Sequence, residues 1–190
     1  MVTRCPWANS SASMQAYHDQ EWGRPQHAEQ ALFELLCLET YQAGLSWQTV
    51  LNKRAAFRQD FYDFDVARVA AMTATDLDRC LHDPAIIRNR LKLNATVNNA
   101  RVIRDWSGPG TFSAWLWDFV GGQPIRHHFT TSDQVPPTTD LAQHVSRELK
   151  KRGFKFVGPT TVYSWMQAAG LINDHLLNCD WAPERQGKEG

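Results

Sequence analysis

Residues 140–170, DLAQHVSRELKKRGFKFVGPTTVYSWMQAAG, decide how the rest of the chain is read. Leu141, Val145 and Leu149 recur at helical spacing, and Gly153 is the kind of residue that ends a helix. Pro159 occupies a favoured first helical position, and a second helix runs from there to just before Gly170. Joined through GFKFVGPT (153–160), the pair forms a helix-hairpin-helix. Physically this is a clamp for a DNA backbone. Gly158 lets the main chain approach a phosphate closely. The N–H groups that open the second helix, at Thr160 and Thr161, face that phosphate with the helix dipole behind them. Lys150, Lys151, Arg152 and Lys155 add positive charge, fixing register without reading sequence. The same residues also suit an ordinary helical hairpin whose basic side chains are merely solvated.

Outward from this motif the chain reads as helix after helix. Leu32, Leu35 and Leu36 mark a helix over 29–39, and Trp47, Val50, Leu51, Phe57 and Phe61 another over 46–62. Asp65 and Thr75 are expected N-caps of two short helices before the break at Asp83-Pro84. Ile87, Leu91, Ala95, Val102 and Trp106 outline a long amphipathic helix. FSAWLWDFV (112–120) is a short one that stops at Gly121-Gly122. The segment 123–137, with three prolines and no periodicity, is expected to be a loop. The fold class is all-α.

The 190 residues are 43% hydrophobic, enough for a substantial core, and suit one domain over 1–183 with a polar tail over 184–190. Twenty basic residues balance twenty acidic ones, so a nucleic-acid partner would have to be recognised by local charge. The cluster Arg88, Arg90, Lys92, Arg101 and Arg104 is expected to be a solvated helix face. No apolar run of membrane length and no signal-peptide pattern is present, and four cysteines do not make a disulfide framework. A cytoplasmic monomer with no membrane association is the expectation.

Two pairs of metal-binding side chains stand far apart: Cys5 with His18, and His175 with Cys179. The second pair has H-x3-C spacing, one helical turn. Two Cys and two His complete a tetrahedral set for zinc and leave no position for water, so a shared ion would be structural. Chemistry is then sought elsewhere, in LETYQAGLSW (38–47). Glu39, at the end of an apolar helix, would have its pKa raised by burial. Tyr41, Trp47, Tyr17 and Trp22 offer flat surfaces for a base. Gly44-Leu45 is an apolar wedge suited to a gap in a base stack. Each could equally be a core or capping residue. Together with the hairpin they fit an enzyme that flips a base out of DNA.

YHDQEWG (17–23), LETYQAGLSW (38–47), RGFKFVGPTTVYSWMQAAGL (152–171) and NDHLLNC (173–179) resemble the bacterial DNA-3-methyladenine glycosylase I family, from Cys5 to Cys179. The resemblance implies a helix-hairpin-helix glycosylase fold, two helical lobes around a base-binding cleft, with the termini tied by one structural Zn2+. It implies a monofunctional enzyme that excises 3-methyladenine from double-stranded alkylated DNA in a bacterial cytoplasm. By motif, Cys5, His18, His175 and Cys179 correspond to zinc ligands. Glu39, Tyr17 and Trp47 match residues that hold the base, with Trp22 and Trp7 in the same lining. Gly44 and Leu45 match the plug that fills the emptied stack. Thr40-Tyr41 departs from the smaller or more polar residues common there, and is expected to alter the DNA-facing wall. The helix after the hairpin has no Lys, so a Schiff-base lyase step is not expected. Asp174 is expected to support the metal ligand His175. A zinc-dependent hydrolase with Glu39 as base, and a non-catalytic DNA-binding module, are the rival classes.

Overall fold

The computed structural model describes residues 2–108 and 110–186; the end of the polar tail, from 187 on, lies outside the described residues. Ten α-helices are found among the described residues: α1 Ala12–Gln20, α2 Glu29–Gln42, α3 Trp47–Asp60, α4 Val66–Ala70, α5 Ala74–His82, α6 Arg90–Arg104, α7 Phe112–Asp118, α8 Asp140–Lys151, α9 Pro159–Ala168 and α10 Pro183–Gln186. The periodic segments fold as helices and bury most of their predicted apolar stripes, but Leu91 is 69% exposed, and Ile87 and Trp106 lie beyond the ends of α6. Leu32, Leu35, Leu36, Val50, Phe57, Val145 and Leu149 are all buried.

The boundaries differ in instructive ways. Asp65 caps α4 as expected, but α5 is capped by Thr73, not Thr75. Thr73 accepts from the Asp76 amide while the Asp76 carboxylate accepts from the Thr73 amide, a reciprocal pair. Helix α1 is not announced by apolar periodicity, because its buried residues are Met14, Tyr17 and His18. The segment 123–137 is not wholly irregular. Ile125–Arg126 (β1) pairs in parallel with Ile172–Asn173 (β2), Ile125 donating to Leu171 O at 2.9 Å and His127 to Asn173 O at 3.2 Å. Two residues per strand give no alternation to read.

One continuous apolar core runs from α2 through α9, and a smaller cluster gathers around Cys5, Leu176 and Cys179. Buried Glu34 on α2 takes both Arg54 and Arg58 of α3, holding those helices side by side. Gly170 ends α9 at φ +72°, and a Cβ there would lie 2.3 Å from the Arg24 backbone. Only glycine lets the α1–α2 linker press against the end of α9.

Candidate functional site

A cavity of about 490 Å3 opens between α1, α2, α3, α9 and the segment after β2. Tyr17, Glu39, Trp47, Trp7 and Trp22 all line it, so the structure brings the five residues singled out in the sequence to one place. Glu39 does not lie at the very end of its helix, since α2 continues to Gln42 and only 43–46 connect it to α3. The extra turn rotates Tyr41 away from the cavity. Its ring is fully buried against Phe57, centroids 4.4 Å apart, and its hydroxyl meets Thr96 Oγ1 at 3.0 Å. Tyr41 is therefore a core residue, and the expected effect of its ring on a DNA-facing wall does not arise. Thr40 is buried as well.

Three polar atoms in this cavity are buried without a hydrogen-bond partner: Tyr17 Oη, Glu39 Oε2 and Trp47 Nε1. Leaving such atoms unpaired costs about 1–3 kcal/mol each, which a fold tolerates where a ligand is to meet them. Burial alone pushes the Glu39 carboxyl up to about 8, so its neutral form is favoured at pH 7. Burial likewise raises the Tyr17 phenol, with Glu39 adding to the effect. The Tyr17 and Trp47 rings touch, centroids 5.2 Å apart and planes tilted by 50°. A planar base between two rings needs a separation of about 7 Å, so in this conformation a base would lie against the pair, not between them.

Behind the pocket wall, Cys5, His18, His175 and Cys179 converge from the two ends of the chain, all buried, their ligand atoms within 4.8 Å of one another. Cys179 Sγ is 3.5 Å from both His18 Nε2 and His175 Nδ1, and Cys5 Sγ is 3.7 Å from His175 Nδ1. Hydrogen bonding among the two thiols and the two imidazoles favours the Cys179 thiolate while Cys5 keeps the proton. The cluster can hold a metal ion. Trp22 packs edge-on against His175 and Trp7 packs edge-on against His18, so the cluster braces two walls of the cavity.

The expected support for a ligand comes from a different acid. Asp19, held by Arg4, meets His18 Nδ1 at 2.8 Å, while His175 Nε2 faces Trp22 O at 3.2 Å. Asp174 turns instead toward the cavity, accepting from Tyr163 and Gln167 of α9 and meeting His127 Nδ1 at 2.6 Å. Sequence adjacency to His175 could not reveal this, because consecutive residues of an extended segment point to opposite sides.

The Gly44-Leu45 turn and the hairpin lie on the surface. Gly44 adopts φ +82° and Leu45 is 43% exposed. The hairpin joins α8 to α9, with Lys155, Lys151 and Thr160 exposed and Thr161 partly so. A Cβ on Gly158 would meet nothing, so the fold itself does not require glycine there. Arg152 is not free charge, since its guanidinium lies over Trp106 and Trp115. Nor is Lys92 on a solvated face; it is buried.

A helical fold with an aromatic cavity, an inward carboxyl and unpaired polar atoms defines a receptor for a small planar molecule with polar edges. The family model for methyladenine glycosylases matches residues 7–182, and the chain belongs to that family. It is 46% identical over 180 residues to a DNA-3-methyladenine glycosylase of Haemophilus influenzae, covering 94% of this chain and 97% of that one. Over 179 residues it is 46% identical to DNA-3-methyladenine glycosylase 1 of Escherichia coli, covering 94% and 96%. Among solved structures, a crystal structure of 3-methyladenine DNA glycosylase I superposes with TM-score 0.92 at 45% identity, covering 95% of this chain and all of that one. A Staphylococcus aureus 3-methyladenine DNA glycosylase I, solved for the structural basis of 3-methyladenine recognition, superposes at 0.88 with 41% identity, covering 93% and 94%.

Proposed function

We propose that this chain is a monofunctional DNA glycosylase that turns 3-methyladenine out of alkylated double-stranded DNA and hydrolyses its N-glycosidic bond, initiating base excision repair. The observation that carries the proposal is the trio of unpaired atoms, Tyr17 Oη, Glu39 Oε2 and Trp47 Nε1, in one aromatic cavity. They match a flat ligand with donors and acceptors at its edge and, beside Glu39, a positive charge. Adenine methylated at N3 in DNA is a cation, whereas ordinary adenine is neutral. Ionising Glu39 at pH 7 costs on the order of 1–2 kcal/mol given its raised pKa. A hydrogen bond to the ionised carboxylate returns about 1.5–3 kcal/mol with either base, and only the cationic base adds an ion pair to it, so the charge is what separates the two. The indole of Trp47 adds about 1–2 kcal/mol of cation–π attraction once water is excluded.

Bond breaking follows from the same charge. The bond from the base nitrogen to the sugar C1′ breaks, its electron pair neutralises the departing base, and the sugar is left oxocarbenium-like. Glu39, ionised, stabilises that positive charge and orients the water that adds to C1′, whose released proton passes to the Glu39 carboxylate. Differential binding of about 3–5 kcal/mol corresponds to two to four decades of rate. Helix α9 carries no lysine and none lines the cavity, which argues against a Schiff-base lyase step.

Leu45 on the Gly44 turn fills the stack that the base has left. The hairpin clamps a phosphate through the amides of Thr160 and Thr161, with Lys151 and Lys155 alongside and Gly158 leaving room. This is the helix-hairpin-helix role. Cys5, His18, His175 and Cys179 would hold one structural Zn2+. Zinc bonds of about 2.3 Å to sulfur and 2.0–2.1 Å to nitrogen at tetrahedral angles put sulfur and nitrogen about 3.5 Å apart, which the observed separations fit. Four protein ligands leave no place for an activated water, which weighs against a zinc hydrolase. No helix among the described residues is long and apolar enough to cross a membrane.

The test is incubation with methylated duplex, scoring free base and strand integrity together. Release of 3-methyladenine from an unbroken strand is expected. Binding without release would instead favour a non-catalytic DNA-binding module.

A further inference from the structure

Lys92, Thr96 and Asn99 are 7%, 2% and 2% exposed on a helix whose neighbouring buried residues, Leu93, Val97 and Ala100, are apolar. Their spacing of i, i+4, i+7 sets them on one face of α6, over about 10 Å of helix. Burying an ammonium and an amide is unfavourable unless each is held by partners. Here the partners belong to the two surface elements assigned to DNA. Lys92 Nζ lies 3.4 Å from Tyr41 O and from Ala43 O, the last carbonyls before the Gly44-Leu45 turn, where a cation also meets the negative end of α2. Thr96 holds the Tyr41 hydroxyl one turn further on. Asn99 grips the hairpin with both halves of its amide, accepting from Lys155 N at 2.8 Å and donating to Lys155 O at 3.0 Å. Asn98 adds a bond to Gly153 O at 2.9 Å. The direct link between the two elements is long, Thr40 Oγ1 to Phe156 O at 3.5 Å.

We infer that the Lys92–Thr96–Asn99 face of α6 is a spacer that fixes the distance between the Leu45 wedge and the phosphate-binding hairpin, making these three positioning residues for opening the duplex. The inference rests on the glycosylase reading above. If the spacing is set this way, the wedge enters the stack only when the hairpin has seated its phosphate. The base pocket, on the other side of α2, is untouched by the spacer.

The experiment uses Lys92→Met, Asn99→Asp and the double variant. Readouts are excision from methylated duplex, binding to a duplex carrying a stable abasic analogue, and binding of free 3-methyladenine followed by tryptophan fluorescence. Each single variant should lose about 10- to 100-fold in kcat/KM and weaken duplex binding while keeping free-base affinity. The double variant should lose less than the product, because a spacing already lost cannot be lost again, whereas melting shifts at sites this far apart should add. Wild-type duplex binding by both variants, parallel loss of free-base affinity, or fully multiplicative kinetic losses would overturn the spacer. Should Asn99→Asp not fold, Asn98→Ala is expected to weaken duplex binding in the same direction, and unchanged binding would count against the inference. Failure of the wild type to release any base strikes the glycosylase reading instead, and the abasic-duplex arm still reports on the spacer.

Discussion

Glu39 is where burial and charge meet most directly in this molecule. Its carboxyl is raised from an ordinary 4.5 to about 8 by desolvation, and one of its oxygens is unpaired. If the ionised form receives the cationic base, kcat/KM should rise with pH and level off above about 8. The methylated base is a fixed cation and adds no titration in this range. Glu39→Gln should give a flat, strongly reduced profile, measured as 3-methyladenine release from pH 5 to 9; a falling limb in the wild type would reverse the assigned role. The same shift governs stability with the opposite sign. A folded-state pKa above the unfolded one favours folding below pH 4.5, and that advantage disappears as pH rises through about 8. Urea midpoints of wild type and Glu39→Gln should therefore diverge as pH rises, with the variant the more stable at pH 9. The raised pKa is legible in the sequence from a Glu set among the apolar residues of a helix. The orphaned atoms of Tyr17 and Trp47 are not, because pairing depends on neighbours from other helices.

At the scale of elements, amphipathic spacing is read directly because a helix buries one face. It failed where the buried face is polar, as in α1, or where an element is two residues long, as in β1 and β2. Caps are local, so Asp65 is legible; Thr73 and Thr75 each stand three residues before an Asp, and the fold starts the helix at Thr73. Thr73→Ala should cost about 1 kcal/mol and lower the melting temperature by roughly 2–4 °C, checked by calorimetry. The hairpin yields its own prediction. Lys155→Gln should weaken duplex binding uniformly across sequences and reduce the slope of log Kd against log salt by about one, measured by fluorescence anisotropy. An unchanged slope would remove Lys155 from the phosphate contact.

At the scale of the whole molecule, the segments around Cys5 and Cys179 meet. Cys179→Ser should abolish stoichiometric zinc measured by elemental analysis and lower the melting temperature; an unchanged melt with full occupancy would show that the ion is not a staple. Trp22 and Trp7 rest on the imidazoles of that cluster, so the variant should also weaken base binding without touching Glu39. The sequence by itself determined the helical character, the hairpin, and the residue types that converge on the cavity and the Cys/His cluster. These follow from periodicity, turn chemistry and motif order, all carried by near neighbours in the chain. Only the tertiary structure decided that Tyr41 is core, that Asp19 and not Asp174 meets an imidazole of the Cys/His cluster, and that Lys92 is buried beside the end of α2. In each case the deciding fact is which side of a helix or extended segment meets a distant partner. That is settled when the apolar faces pack and the polar groups between them must find acceptors.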